Sequence, residues 1–173
     1  MQLGPTTMSD ETLHPKSLLA EGRFHAAMVL LRQRSQASGK EPDSEGRLLM
    51  AEVLERTGHL AEARTQVAAL RKSPRLTESA RVRCMMVDGL VSKQLGHLED
   101  SATAFRRAYE IAERIDSPEL RAWSQLRLLG VSMDLEGRDL DAETLSGLRC
   151  NIEQAAVPAL ATAHQVFLAE YHA

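Results

Sequence analysis

Aromatic side chains are scarce in this chain: one Trp, two Tyr and three Phe among 173 residues. That scarcity argues against a single-strand nucleic-acid platform, which needs aromatics interleaved with cations. A net charge of −3 offers no global attraction to nucleic acid or to an anionic membrane. No run approaches the roughly 20 apolar residues of a membrane-spanning helix, and no charged-then-apolar signal segment opens the chain. Cys84 and Cys150 are far apart and form no metal or redox spacing. A reduced, cytoplasmic setting is expected. Catalytic motifs are lacking too: there is no Ser-His-Asp order, glycine-rich phosphate loop or His-Glu motif on a suitable element. His59 and His97 have no third ligand in register, so no metal is expected. The expectation is a non-enzymatic protein without catalytic residues, metal or cofactor. Strand-like alternation is absent throughout, which leaves an all-α domain.

What the chain does contain is a recurring turn. Gly22, Gly58, Gly96 and Gly137 are separated by 36, 38 and 41 residues, a period that signals stacked helical hairpins. Phe24, Leu60 and Leu98 stand two residues after the first three glycines, and Ala27, Ala63 and Ser101 stand five after them. Ala142 takes the same offset from Gly137, and Ala51, Gly89 and Gly130 lie seven residues before their glycines. Between the turns, apolar residues recur at helical period, as in Val82, Met85, Met86 and Leu90 or Leu98, Ala102, Phe105 and Ala108. Trp123 and Phe105 lie on such stripes and are expected in the core. Thr77 suits a helix N-cap, and Ser117-Pro118-Glu119 reads as a capping serine, a proline at the first helical position and an acid in the first turn.

These turns resemble those of the tetratricopeptide-repeat family over residues of about 15–154. The resemblance implies a right-handed superhelical stack of about four hairpins, near 9–38, 43–72, 77–115 and 117–154, with a terminal helix near 157–171; residues 1–8, where Gly4-Pro5-Thr6-Thr7 offers no periodicity, read as a disordered leader. Pro15 at the first small position, Asp88 where a leucine is expected, and Asp139 at the fourth large position depart from the family pattern. Stacked outbound helices make an extended concave wall. Carried onto this chain, the family's groove positions are Glu45, Leu48, Glu52, Glu55, Arg83, Met86, Leu90, Lys93, Arg127, Val131 and Asp134. An apolar floor of Leu48, Met86, Leu90 and Val131 with charged rims suits a peptide or an amphipathic helix. The lysine-and-asparagine clamp some members use for C-terminal carboxylates is not expected, since Asn151 is the one asparagine.

The implied function is protein–protein interaction, as part of a larger bacterial regulatory or scaffold protein. A free-standing chaperone or adaptor that shields an apolar client segment, and a peptide-sensing regulator, are the alternatives. Arginine outnumbers lysine 17 to 4, which suggests a GC-rich bacterial genome. Arg64, Arg71, Lys72, Arg75, Arg81 and Arg83 crowd one stretch and read as a solvated edge. From Gln154 to Ala169 no residue of the Asp, Glu, Lys or Arg type occurs. A helix apolar around much of its circumference needs cover; further repeats of a longer parent protein are expected to supply it, or a homodimer through Leu160, Phe167, Leu168 and Tyr171, or folding back onto the domain's own groove.

Overall fold

The computed structural model describes residues 14–39, 41–137 and 140–172; the expected leader at 1–8 lies outside them. All regular structure among the described residues is helical. The helices are α1 (Pro15–Ala20), α2 (Phe24–Ser38), α3 (Ser44–Arg56), α4 (Leu60–Arg71), α5 (Glu78–Gln94), α6 (Leu98–Arg114), α7 (Pro118–Glu136), α8 (Ala142–Ala155) and α9 (Pro158–His172).

The repeated turn is a hydrogen-bonded device. Gly22, Gly58 and Gly96 have φ of 72°, 78° and 80°, a left-handed conformation that glycine adopts without steric penalty. The following N–H then reaches the carbonyl five residues back: Arg23 to Leu18 at 2.8 Å, His59 to Leu54 at 2.8 Å, and His97 to Ser92 at 2.9 Å. This 6→1 closure satisfies carbonyls that a helix end leaves orphaned. The small residues after the turn, Ala27, Ala63 and Ser101, are fully buried and begin the return helix by bonding back to residues 23, 59 and 97. Between α6 and α7, Asp116 takes the glycine's role with φ of 49°, and Ser117 N–H bonds Ala112 O at 3.0 Å. Ser117 spends its backbone on that closure and forms no side-chain cap, contrary to the expected capping serine; Pro118 does occupy the first turn. Thr77 caps α5 through the Ala80 N–H at 3.2 Å.

The fourth turn differs. Gly137 has ψ of −174°, and α8 starts only at Ala142, capped by Asp141 Oδ1 accepting from Thr144 N–H at 2.6 Å. Ala142 is exposed and does not take the buried small position. The fourth return helix is set by an Asx cap where the others use a left-handed glycine.

Every helix packs on the next. Beyond that, the backbones of the odd-numbered helices approach one another, α1 with α3, α3 with α5, α5 with α7 and α7 with α9, whereas among the described residues no two even-numbered helices come as close; α2 and α4 meet through the Arg32–Glu62 ion pair at 3.0 Å. The interior is correspondingly a string of local clusters. One joins α1 to α5 through Leu18, Leu48, Leu54, Val67 and Cys84. Phe105 and Val131 link α6 to α7 with Met86 and Leu90 against them, and a last cluster joins α7, α8 and α9.

Three expectations are corrected by this packing. Leu48 and Val131 are fully buried, because the line where two odd helices meet is core and not groove floor. Trp123 is half-buried and opens onto a cleft, unlike Phe105, which is fully buried. Leu160 and Phe167 are buried against α7 and α8, with Leu168 packed beside them. Tyr171 Oη donates to Leu140 O at 3.1 Å. These residues of α9 are used inside the chain and do not form an open self-association face; the side they leave uncovered presents Val166, which is 55% exposed, among alanines.

Candidate functional site

The side on which α3, α5 and α7 meet holds a cleft of about 560 Å³. Its walls come from elements a hundred positions apart in sequence: Leu19 and Phe24 from the first turn, Glu52, Glu55 and Arg56 from α3, Arg83, Met86, Val87 and Leu90 from α5, and Glu119, Leu120, Trp123 and Arg127 from α7. Met86, Leu90, Leu120 and Trp123 are half-buried, so each has a packed side and an open one.

Of the groove residues expected from the sequence, the structure brings Glu52, Glu55, Arg83, Met86, Leu90 and Arg127 to this cleft. Glu45 lies beside it, in a chain of charge across three helices: Lys16 Nζ is 2.8 Å from Glu45, and Arg83 bonds Glu45 Oε1 at 3.1 Å and both Glu52 oxygens at 2.9 Å. Burial alone would raise the Glu45 pKa, but hydrogen bonds and attraction from Lys16 and Arg83 reverse it and hold the carboxyl below its usual value. Arg83 is thereby saturated by two carboxylates in a planar fork geometry that lysine could not reproduce. Lys93 and Asp134 pair with each other at 2.8 Å and do not line the cleft. Leu48 and Val131, fully buried, are excluded from it.

Sequence reasoning missed Leu19, Phe24, Arg56, Leu120 and Trp123. A signal existed for part of this. Trp123 and Arg127 are four apart on one helix and therefore share a face; the Arg127 guanidinium sits over the Trp123 ring at 5.7 Å. The mirror arrangement, Arg56 over the Phe24 ring at 5.9 Å, joins different helices and leaves no local trace. The arginine-rich stretch from Arg64 to Arg83 is likewise reshaped by the fold. Arg71 pairs with Asp88, Arg81 with Glu78 at 3.6 Å, and Arg83 turns into the cleft. At the turn, His59 Nδ1 and the Thr57 hydroxyl lie 3.0 Å apart.

Glu55 is the most deeply buried charge of the site, 6% exposed. It accepts from Gln94 at 2.5 Å and lies 3.5 Å from Arg56. Burial raises its pKa, and attraction to Arg56, attraction to Arg127 and the Gln94 bond offset this only in part. A carboxyl whose folded pKa is raised contributes stability that is fully present below its unfolded pKa and lost as pH rises through the folded one. Glu55→Gln should therefore flatten the stability profile above pH of about 4.3 and raise the urea midpoint at pH 7 relative to wild type, with the advantage gone near pH 4. A lower midpoint for the variant at pH 7 would mean that attraction to the arginines outweighs burial.

No protein-family model matches the chain, and no curated protein or solved structure does either.

Proposed function

We propose that this chain is an interaction module of the tetratricopeptide type: a right-handed stack of about four hairpins whose inner cleft receives an apolar segment, helical or extended, of a protein partner. The observation that carries this reading is the cleft itself. It runs across α3, α5 and α7 with half-buried Met86, Leu90, Leu120 and Trp123 along it. Apolar surface left open on a concave wall, with charges fixed around it, is how helix-in-groove recognition gains affinity from burial and register from its rim. Two further features support the repeat assignment: the glycine closure recurs with the same bond pattern at three turns, and among the described residues close backbone approach between second neighbours falls on the odd helices alone. The role is binding without turnover.

Trp123 is the one tryptophan, so the chain carries its own reporter at the site. Capped, tryptophan-free 12-residue peptides randomised over Leu, Met, Ala and Gln should shift its emission in a saturable way. Leu90→Glu should abolish that response while leaving helicity by circular dichroism intact, because it puts a charge where an apolar partner would desolvate it. Peptide binding that survives Leu90→Glu would move the partner surface elsewhere.

A further inference from the structure

We infer that the cleft selects a partner segment carrying an acidic side chain, Asp or Glu, seated between Arg127 and Arg56 with apolar residues to either side. This rests on the cleft being the partner site, and it adds the chemistry that would set register there. Four observations converge. Arg127 and Arg56 belong to different helices and line the same hollow. Each lies over an aromatic ring, Trp123 and Phe24, which leaves the guanidinium edge to form hydrogen bonds. The Nε of Arg127 is buried and has no hydrogen-bond partner among the described residues. The carboxylate that attracts Arg127 is already engaged, since Glu55 accepts from Gln94 and pairs with Arg56.

Electrostatics agree with this geometry. Burial first, and then repulsion from Arg56, push the Arg127 pKa down, with attraction to Glu55 working the other way. A carboxylate placed between the two arginines would relieve the repulsion, and a turn of the Arg127 side chain toward it would bring the orphaned donor within reach. Arg83, the third arginine of the cleft, cannot serve because Glu45 and Glu52 occupy it. The charge of the incoming group is also bounded. Glu52, Glu55 and Glu119 line the cleft with the three arginines, so its own charge balances, which favours a monovalent carboxylate over a doubly charged phosphate. The apolar residues flanking the arginines, Leu19, Met86, Leu90 and Leu120, point to a peptide and not to a small free anion.

The test uses three libraries of the capped 12-residue peptides with one central position fixed as Glu, Gln or phosphoserine, read by Trp123 emission. The Glu library should bind roughly tenfold more tightly than its Gln twin, the scale of a charge-assisted hydrogen bond, and the gap should narrow with salt. Arg127→Gln should erase the Glu-over-Gln preference, and Arg56→Gln, which does not open a buried site, should reduce it; circular dichroism checks that both fold. Equal binding of Glu and Gln peptides to the wild type would overturn the acidic selection and leave the cleft reading standing. Tighter binding of phosphoserine than Glu would overturn it in favour of a phosphate site. Silence of Trp123 toward all three libraries would overturn both readings.

Discussion

Phe105→Ala is expected to lower the unfolding free energy by about 3–5 kcal/mol, the range for deleting a packed aromatic from a core. Phe105 is fully buried on α6, in a cluster with Ala102 and Val131 against which Met86, Leu90, Leu98 and Leu128 pack. Truncating it leaves a gap between three helices whose backbones are held by their own turns, so collapse can recover little of the loss. For a chain of this size the deficit corresponds to a fall in Tm of about 6–20 °C. Since marginal stability is about 5–15 kcal/mol for most domains, the variant should be visibly compromised in urea. The same ring supports Leu90 from beneath, so peptide affinity should weaken as well. A loss below about 1 kcal/mol would mean that the helices close up around the gap, against the rigidity of packed interiors.

Gly89→Ala is expected to destabilise, against the usual sign for a glycine inside a helix. Replacing such a glycine by alanine ordinarily gains about 0.5–1 kcal/mol, by restricting the unfolded chain. At Gly89, however, an added Cβ would lie 2.6, 2.8 and 2.9 Å from atoms of the Phe105 ring. The ring cannot swing away, being enclosed on all sides, and the Gly89 carbonyl is itself fixed by the Ser101 hydroxyl at 2.7 Å. Overpacking of this kind costs about 1–3 kcal/mol, which exceeds the helix gain. Gly130 is the control: it stands at the same offset from its glycine turn, yet nothing lies within 4 Å of an added Cβ. Gly130→Ala should therefore be neutral or stabilising. Combining Gly89→Ala with Phe105→Leu should cost less than the two changes summed, because they share one contact. Strict additivity would place the strain somewhere other than the ring.

How far the sequence could be read depended on whether a feature is encoded locally. The turns are local: a glycine, a large residue two positions on and a small one five on determine a hydrogen-bonded closure within one short segment, and three of the four close alike. Asp139 at the fourth marked a departure, and α8 indeed begins later, at an Asp141 cap. Burial of single side chains on the inner wall was not local. One residue of rotation along a helix moves a side chain by about 100°, and on the odd helices the open wall and the buried seam are adjacent stripes. Leu48 and Val131 fall on the seam while Met86 and Leu90 fall on the wall, a distinction made by how closely α3, α5 and α7 approach each other. Trp123 was misjudged for its size, since a large apolar residue on a helical stripe is more often core than cleft. Arg56 over Phe24 required two helices distant in the chain to be placed before it existed at all.

The confinement of contacts to neighbours and next neighbours bears on how this molecule comes apart and forms. Among the described residues no contact has to wait for a long loop to close, so assembly should be fast for its length, in keeping with the link between sequence-local contacts and folding rate. The α5, α6 and α7 segment, where packing is densest, is the natural place for a nucleus, and the short α1, six residues long, the place where opening starts. Amide exchange in the native protein should then grade from slow at α5–α7 to fast at α1. One wall of the cleft is made by that first turn, through Leu19 and Phe24. Occupancy of the cleft and closure of the first hairpin would be thermodynamically linked, so a bound peptide should slow exchange at α1 far more than at the nucleus it also touches.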